Sequence, residues 1–220
     1  MDDHPDSGYV PALRFRWLTP AYDVVVRATT RERTVKAALI AQARIAASQC
    51  VLDLACGTGT LAIWVKQHCP QATVVGIDGD KAILAIASRK ARVANASVQF
   101  DHGLSYRLPY TDGRFDRIVS SLFFHHLSWK DKQRTARELF RVLRPGGELH
   151  VADWGRATGP LMRAGFVAVQ LLDGFRNTKD NVDGRLIDLF QAADFSGVAQ
   201  TSQFSTAFGT LALYRAEKRS

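Results

Sequence analysis

The segment Asp53-Leu54-Ala55-Cys56-Gly57-Thr58-Gly59-Thr60-Leu61-Ala62 carries the densest chemical information in the chain. Two glycines one residue apart, directly after an apolar run, permit a tight turn whose backbone N–H groups can approach a ligand unobstructed. Gly57-x-Gly59-x-x-Ala62 satisfies the loose dinucleotide fingerprint, and Asp78 follows 19 residues after Gly59. Asp53 separates two possible ligand chemistries. A pyrophosphate at this turn would be repelled by a carboxylate four residues before Gly57. A ligand bearing an ammonium and a sulfonium would be attracted by it. S-adenosylmethionine carries both cations and no phosphate, so the pattern favours it over a nicotinamide dinucleotide. Asp78 is placed to accept from both ribose hydroxyls, each charge-assisted bond contributing about 1.5–3 kcal/mol.

The second reactive cluster is His125-His126. A neutral imidazole near pH 7 can take a proton from a phenol, enol or ammonium, and the sequence does not distinguish the two rings. Asp153, Trp154, Arg14 and Arg16 are further pocket candidates. Met162, Phe166, Val167, Val169, Leu171 and Leu172 recur at a spacing that suits an apolar cap as well as ordinary core packing. No group of His and carboxylates has metal-ligand spacing, and no metal is expected.

These residues need a scaffold, and the hydrophobic pattern supplies one. Thr29 and Glu32 form a capping-box pattern before a helix expected over 30–47. Strands are expected at 51–54, 73–78, 97–100, 115–119 and 148–153. Helices separate them, one opened by the capping Asp80 and another by Ser128 with Asp131. Arg144-Pro145-Gly146-Gly147 must stop the latter. Strands joined by single helices imply right-handed crossovers and a parallel sheet covered on both faces. After helical stretches near 160–173 and 184–194, strands at 203–207 and 210–216 lie too close in sequence for a crossover. They must form an antiparallel hairpin.

Composition limits the function classes. The chain has 220 residues, 46% apolar and 23% charged, which suits one folded domain rather than a disordered segment. No apolar run reaches the roughly 18 residues of a membrane-spanning helix. Met1-Asp2-Asp3-His4-Pro5 is unlike a secretory leader, and Cys50, Cys56 and Cys69 lack paired spacing, so reduced thiols and a cytoplasmic location are expected. The net charge of +8 includes Arg14, Arg16, Arg27, Arg31, Arg33 and Lys36 near the N-terminus, a candidate contact for an anionic membrane.

The Asp53–Ala62 loop, Gly76-Ile77-Asp78, Leu108-Pro109-Tyr110, Phe115-Asp116, Leu139–Gly147 and the terminal hairpin together resemble a class I S-adenosylmethionine-dependent methyltransferase. The resemblance is to the group that includes the ubiquinone and menaquinone C-methyltransferases. It covers residues 20–154 most fully. It implies an α/β fold, a Rossmann-like doubly wound, mostly parallel seven-stranded sheet ending in an antiparallel hairpin. Residues 1–47 would be a tail and lid helix, and 48–220 the methyltransferase domain. By the same resemblance, Asp53, Ala55, Gly57 and Gly59 face the methionine end of the cofactor, and Asp78 and Gly79 the adenosine. Tyr22 closes over the cofactor, and Ser120 lies near its amino-acid portion. The position that usually bears an acid for the adenine amine is Leu104; either Asp101 or backbone groups of Leu104 and Ser105 would replace it. The expected reaction is C-, O- or N-methylation of a small hydrophobic or aromatic molecule, with S-adenosylhomocysteine as product. A phospholipid amine, a nucleic acid and a catalytically silent cofactor-binding role are the alternatives. Against nucleic acid, Ser120-Ser121-Leu122-Phe123 replaces the Asn/Asp-Pro-Pro-aromatic motif that base-amine methyltransferases carry.

Overall fold

The computed structural model describes residues 31–156, 180–181, 183–206 and 209–219. Tyr22, Arg14, Arg16, Thr29 and the expected helical stretch 160–173 with its apolar cap lie outside the described residues.

Helix α1 spans Glu32–Ala43. It is shorter than the expected 30–47 because Arg44 turns left-handed at φ 44°, breaking the hydrogen-bond ladder. Its apolar stripe, Val35, Leu39, Ile40 and Ala43, packs on Val51, Trp154, Leu211 and Leu213 of the sheet. The strands are β1 (Cys50–Leu54), β2 (Thr73–Asp78), β3 (Gln99–His102), β4 (Phe115–Ser121), β5 (Leu143–Trp154), β6 (Ser196–Thr206) and β7 (Gly209–Glu217). Between them lie α2 (Thr60–His68), α3 (Lys81–Val93), α4 (Trp129–Val142) and α5 (Leu186–Gln191). Two of the three expected caps form: Asp80 accepts from the N–H groups of Ala82 and Ile83, and Ser128 from that of Asp131. α1 instead has a left-handed Arg31 at its N-cap with no side-chain cap bond, so Glu32 is its first residue rather than the third position of a capping box.

The seven strands make one sheet in the order β3-β2-β1-β4-β5-β7-β6. β1 to β5 are parallel, and β7 runs antiparallel to both β5 and β6. β1 and β2 each carry four consecutive buried residues, as strands covered on both faces must. One face packs Leu52, Ile118 and Val151 against Leu139 of α4 and Leu189 and Phe190 of α5; the other packs Val51, Val74 and Val119 against α1 and α2. Chain order reverses between β1 and β4, which opens a crevice at their carboxyl ends, where ligands of doubly wound sheets bind.

Among the strands, the largest departures from expectation are at β3, β5 and β6. β3 begins two residues later than expected, which draws Asp101 into the strand. β5 starts at Leu143, directly after α4, and carries Pro145-Gly146-Gly147 within it where its pairing to β4 shifts register. β6 extends back to Ser196, its exposed alternate residues giving little apolar signal.

Candidate functional site

β1 delivers Asp53 to the crevice and the glycine turn follows at once. Ala55, Gly57 and Gly59 all have positive φ (54°, 53° and 75°). A Cβ built on Gly57 meets nothing within 4 Å, so that face of the turn is open. One on Gly59 would lie 2.8 Å from the Phe100 ring and 3.0 Å from Ala87, so glycine is required there for packing as well as conformation. The turn is fixed by Cys56 N–H to the Ile77 carbonyl (3.0 Å) and by Lys90 of α3, whose Nζ donates to the hydroxyls of Thr58 and Thr60.

Asp53 is 1% exposed, and its Oδ2 has no hydrogen-bond partner. Burial raises its pKa to about 7, against the pull of Lys36 and the Ala62 N–H. Asp78, at the end of β2, accepts from the N–H groups of Gly57 (2.9 Å) and Asp80 (3.0 Å). Burial raises its pKa as well, and those amide bonds oppose the rise. Gly79 follows, its carbonyl 3.1 Å from Nε2 of His102. A buried carboxyl with an orphaned oxygen and a half-buried one, beside an open glycine turn, fit a ligand that brings a cation and a ribose. They fit S-adenosylmethionine.

Along the other candidates, the side chains are already engaged. Asp101 accepts from the Tyr110 hydroxyl (2.9 Å) and from Gln99. Leu104 pairs with Arg107 in an isolated bridge, and the Ser105 hydroxyl meets that of Thr135 on α4 at 2.9 Å. Ser120 is fully buried and donates to the Leu54 carbonyl at 3.1 Å, tying β4 to β1 beneath the crevice.

The histidine pair sits in a single 3₁₀ turn, Phe124–His126, just past β4. What holds that turn is Asp153, fully buried at the end of β5. Its Oδ2 accepts from the N–H groups of Phe123 (3.1 Å) and Phe124 (2.7 Å). Its Oδ1 accepts from His125 Nδ1 (2.7 Å) and from the Trp154 N–H (2.7 Å). Burial would raise this carboxyl's pKa, but His125 and the donated bonds hold it below the usual range. The His125 and His126 rings lie 3.9 Å apart between centroids, and burial with the His125 neighbour lowers the pKa of His126 to about 3. His126 is therefore neutral at physiological pH. The Asp153 role had no local signal: it depends on a strand end 28 residues beyond His125. Among the described residues no group of His, Cys, Asp or Glu could hold a metal ion, and no helix is long and apolar enough to cross a membrane.

Comparison with known proteins agrees with this geometry. Residues 51–147 match a family described as a methyltransferase domain. A demethylmenaquinone methyltransferase of Deinococcus radiodurans is 32% identical over 168 residues, covering 76% of this chain and 69% of that protein. One from Thermus thermophilus is 37% identical over 147 residues, covering 64% of each. A solved S-adenosylmethionine-dependent methyltransferase of Methanosarcina mazei superposes with a TM-score of 0.66 at 20% identity, over 82% of this chain and 97% of that one. The orphaned carboxylate, the open turn, the sheet order and these relatives agree: the chain belongs to the class I S-adenosylmethionine-dependent methyltransferases.

Proposed function

We propose that the acceptor is a small, largely apolar molecule carrying an oxygenated ring, methylated at the corner of the crevice where the histidine pair lies. The observation that carries this reading is the Asp153–His125 pair. A carboxylate that accepts from Nδ1 keeps the neutral imidazole in the tautomer whose Nε2 can take up a proton. A hydroxylated ring becomes a better carbon or oxygen nucleophile when it gives up a proton. The two named relatives, both demethylmenaquinone methyltransferases, support an acceptor of that kind.

Bound S-adenosylmethionine supplies an electrophilic methyl group on a sulfonium whose sulfur leaves neutral. The chain's own residues do the rest. Asp53 would pair with the cofactor's ammonium and Asp78 with its ribose hydroxyls, while the backbone of Gly57 and Gly59 admits it closely. Tyr22 would close the site from the N-terminal segment, with Gly79 beside the adenosine and Asp101 or the Leu104–Ser105 backbone toward the adenine. The rigid Phe123–His126 turn would hold the proton-accepting ring at the acceptor, where positioning supplies most of the rate.

The test is methyl transfer from S-adenosylmethionine to parallel acceptors: 1,4-dihydroxynaphthalene, phosphoethanolamine and transfer RNA, read by mass spectrometry. Methylation of the dihydroxynaphthalene alone is expected. Transfer only to the amine or the RNA would overturn the reading.

A further inference from the structure

Among the described residues, four carry a fully buried side-chain nitrogen or oxygen with no hydrogen-bond partner: Asp53, His150, Asn181 and Tyr214. Folded proteins leave few such groups, and each one calls for a water, an ion or a ligand. His150 is compensated by the Glu148 carboxylate 3.2 Å away. Asp53 is assigned above to the cofactor's ammonium. Asn181 and Tyr214 remain.

Tyr214 approaches the Asp153–His125 corner directly, and Asn181 is tied toward it through its neighbour Asp180. Tyr214 of β7 is 1% exposed and pairs in register with Val151, two residues before Asp153, on the sheet face that also packs Phe124 and Phe190. Its hydroxyl lies 3.2 Å from where a Cβ on Gly155 would stand, at the carboxyl end of β5, and the Asp153 charge acts on the phenol. Asn181 is fully buried, with both the nitrogen and the oxygen of its amide unpaired. Its neighbour Asp180 forms an ion pair at 3.5 Å with Lys132, a fully buried residue in the first turn of α4. Lys132 in turn is close enough to the corner for its charge to act on His126 and for that of Asp153 to act on it.

A phenol and a carboxamide are neutral groups that can each donate and accept. They suit a hydroxyl or carbonyl oxygen. A phosphate would call for unpaired cations, and Lys132 already faces Asp180. We infer that Tyr214 and Asn181 bind the methyl acceptor, each hydrogen-bonding a neutral oxygen of it. The inference rests on the small-molecule reading above and adds the groups that select an oxygenated substrate.

The experiment titrates 1,4-dihydroxynaphthalene into the complex with S-adenosylhomocysteine, using wild type, Tyr214→Phe and Asn181→Leu. Each variant is expected to weaken acceptor binding about tenfold, the loss of one well-placed bond in a dry site. S-adenosylhomocysteine affinity should stay within about twofold, and the melting temperature should hold or rise, because an orphaned polar group is removed. Acceptor affinity unchanged in both variants, or no acceptor binding to wild type, overturns the inference. So does a melting temperature several degrees lower with affinity unchanged, which marks a structural, water-bonded role. The acceptor reading fails separately, on the turnover panel, and binding decides the inference in either case.

Discussion

A carboxyl group with an orphaned oxygen and a pKa near 7 links cofactor binding to pH through one residue. In the fold Asp53 holds a proton up to about pH 7, whereas its unperturbed pKa is 3.8. The native state therefore binds more protons than the unfolded chain between those values, and this group makes stability fall as pH rises through that window. Above it the penalty is constant, on the order of a few kcal/mol. A cationic ligand favours the ionised form, so S-adenosylhomocysteine affinity should fall below pH 7 by up to about tenfold per pH unit. Asp53→Asn is expected to do three things: weaken S-adenosylhomocysteine binding about 10–100-fold at pH 8, flatten its pH profile, and raise the ligand-free melting temperature at pH 8 but not near pH 4. Titration calorimetry and thermal melts from pH 4 to 8 read all three. A wild-type affinity that does not change between pH 6 and 8 would remove the cationic partner from this carboxylate. The type and position of Asp53 were legible from charge logic alone. Its unpaired oxygen was not, because that depends on what α1 and α2 bring over it.

At the scale of elements, the glycine turn was readable because its residues are contiguous, and Asp80 and Ser128 announced two helices because caps act within four residues. Elements whose limits depend on partners were less readable. β3 slides to Gln99–His102, where it pairs with Val75–Asp78, and this places the Phe100 ring against Gly59 and Gly76. Neither glycine's need for a bare Cα could be seen without that ring. Gly59→Ala would put a methyl 2.8 Å from Phe100 at a φ of 75°, combining overpacking with left-handed strain. The expected cost is about 2–4 kcal/mol in denaturant unfolding. Phe100→Leu in the same chain should recover the packing part of that loss, leaving roughly 1–2 kcal/mol of backbone strain. Gly57→Ala meets open space and should cost only the conformational part, yet it would project a methyl toward the cofactor. It should therefore weaken S-adenosylhomocysteine binding more than it lowers stability. Equal stability losses at the two glycines would refute this packing account of Gly59.

Across the whole molecule, the parallel core and its antiparallel ending were both legible, since strand spacing dictates which connections can cross over. The corner past β4 was only half so. His125, His126 and Asp153 stood out by type, while the bond that joins Asp153 to His125 spans 28 residues, a convergence that only tertiary packing creates. The proposed cofactor end draws on β1, β2 and both loops after them, with Asp78 bridging the two through the Gly57 amide. Filling it should therefore stabilise the whole sheet rather than one loop. A ligand that binds only the folded state adds about 2.7 kcal/mol at a hundredfold excess over its Kd. For a chain of this size that corresponds to a rise of roughly 5–11 °C in melting temperature. S-adenosylhomocysteine should produce such a shift as one cooperative transition. NADH at the same concentration should produce none, because its pyrophosphate would face Asp53 without a compensating cation. A comparable shift with NADH would mean that Asp53 does not discriminate by charge, and the physical argument for the methyl donor would then rest on the relatives alone.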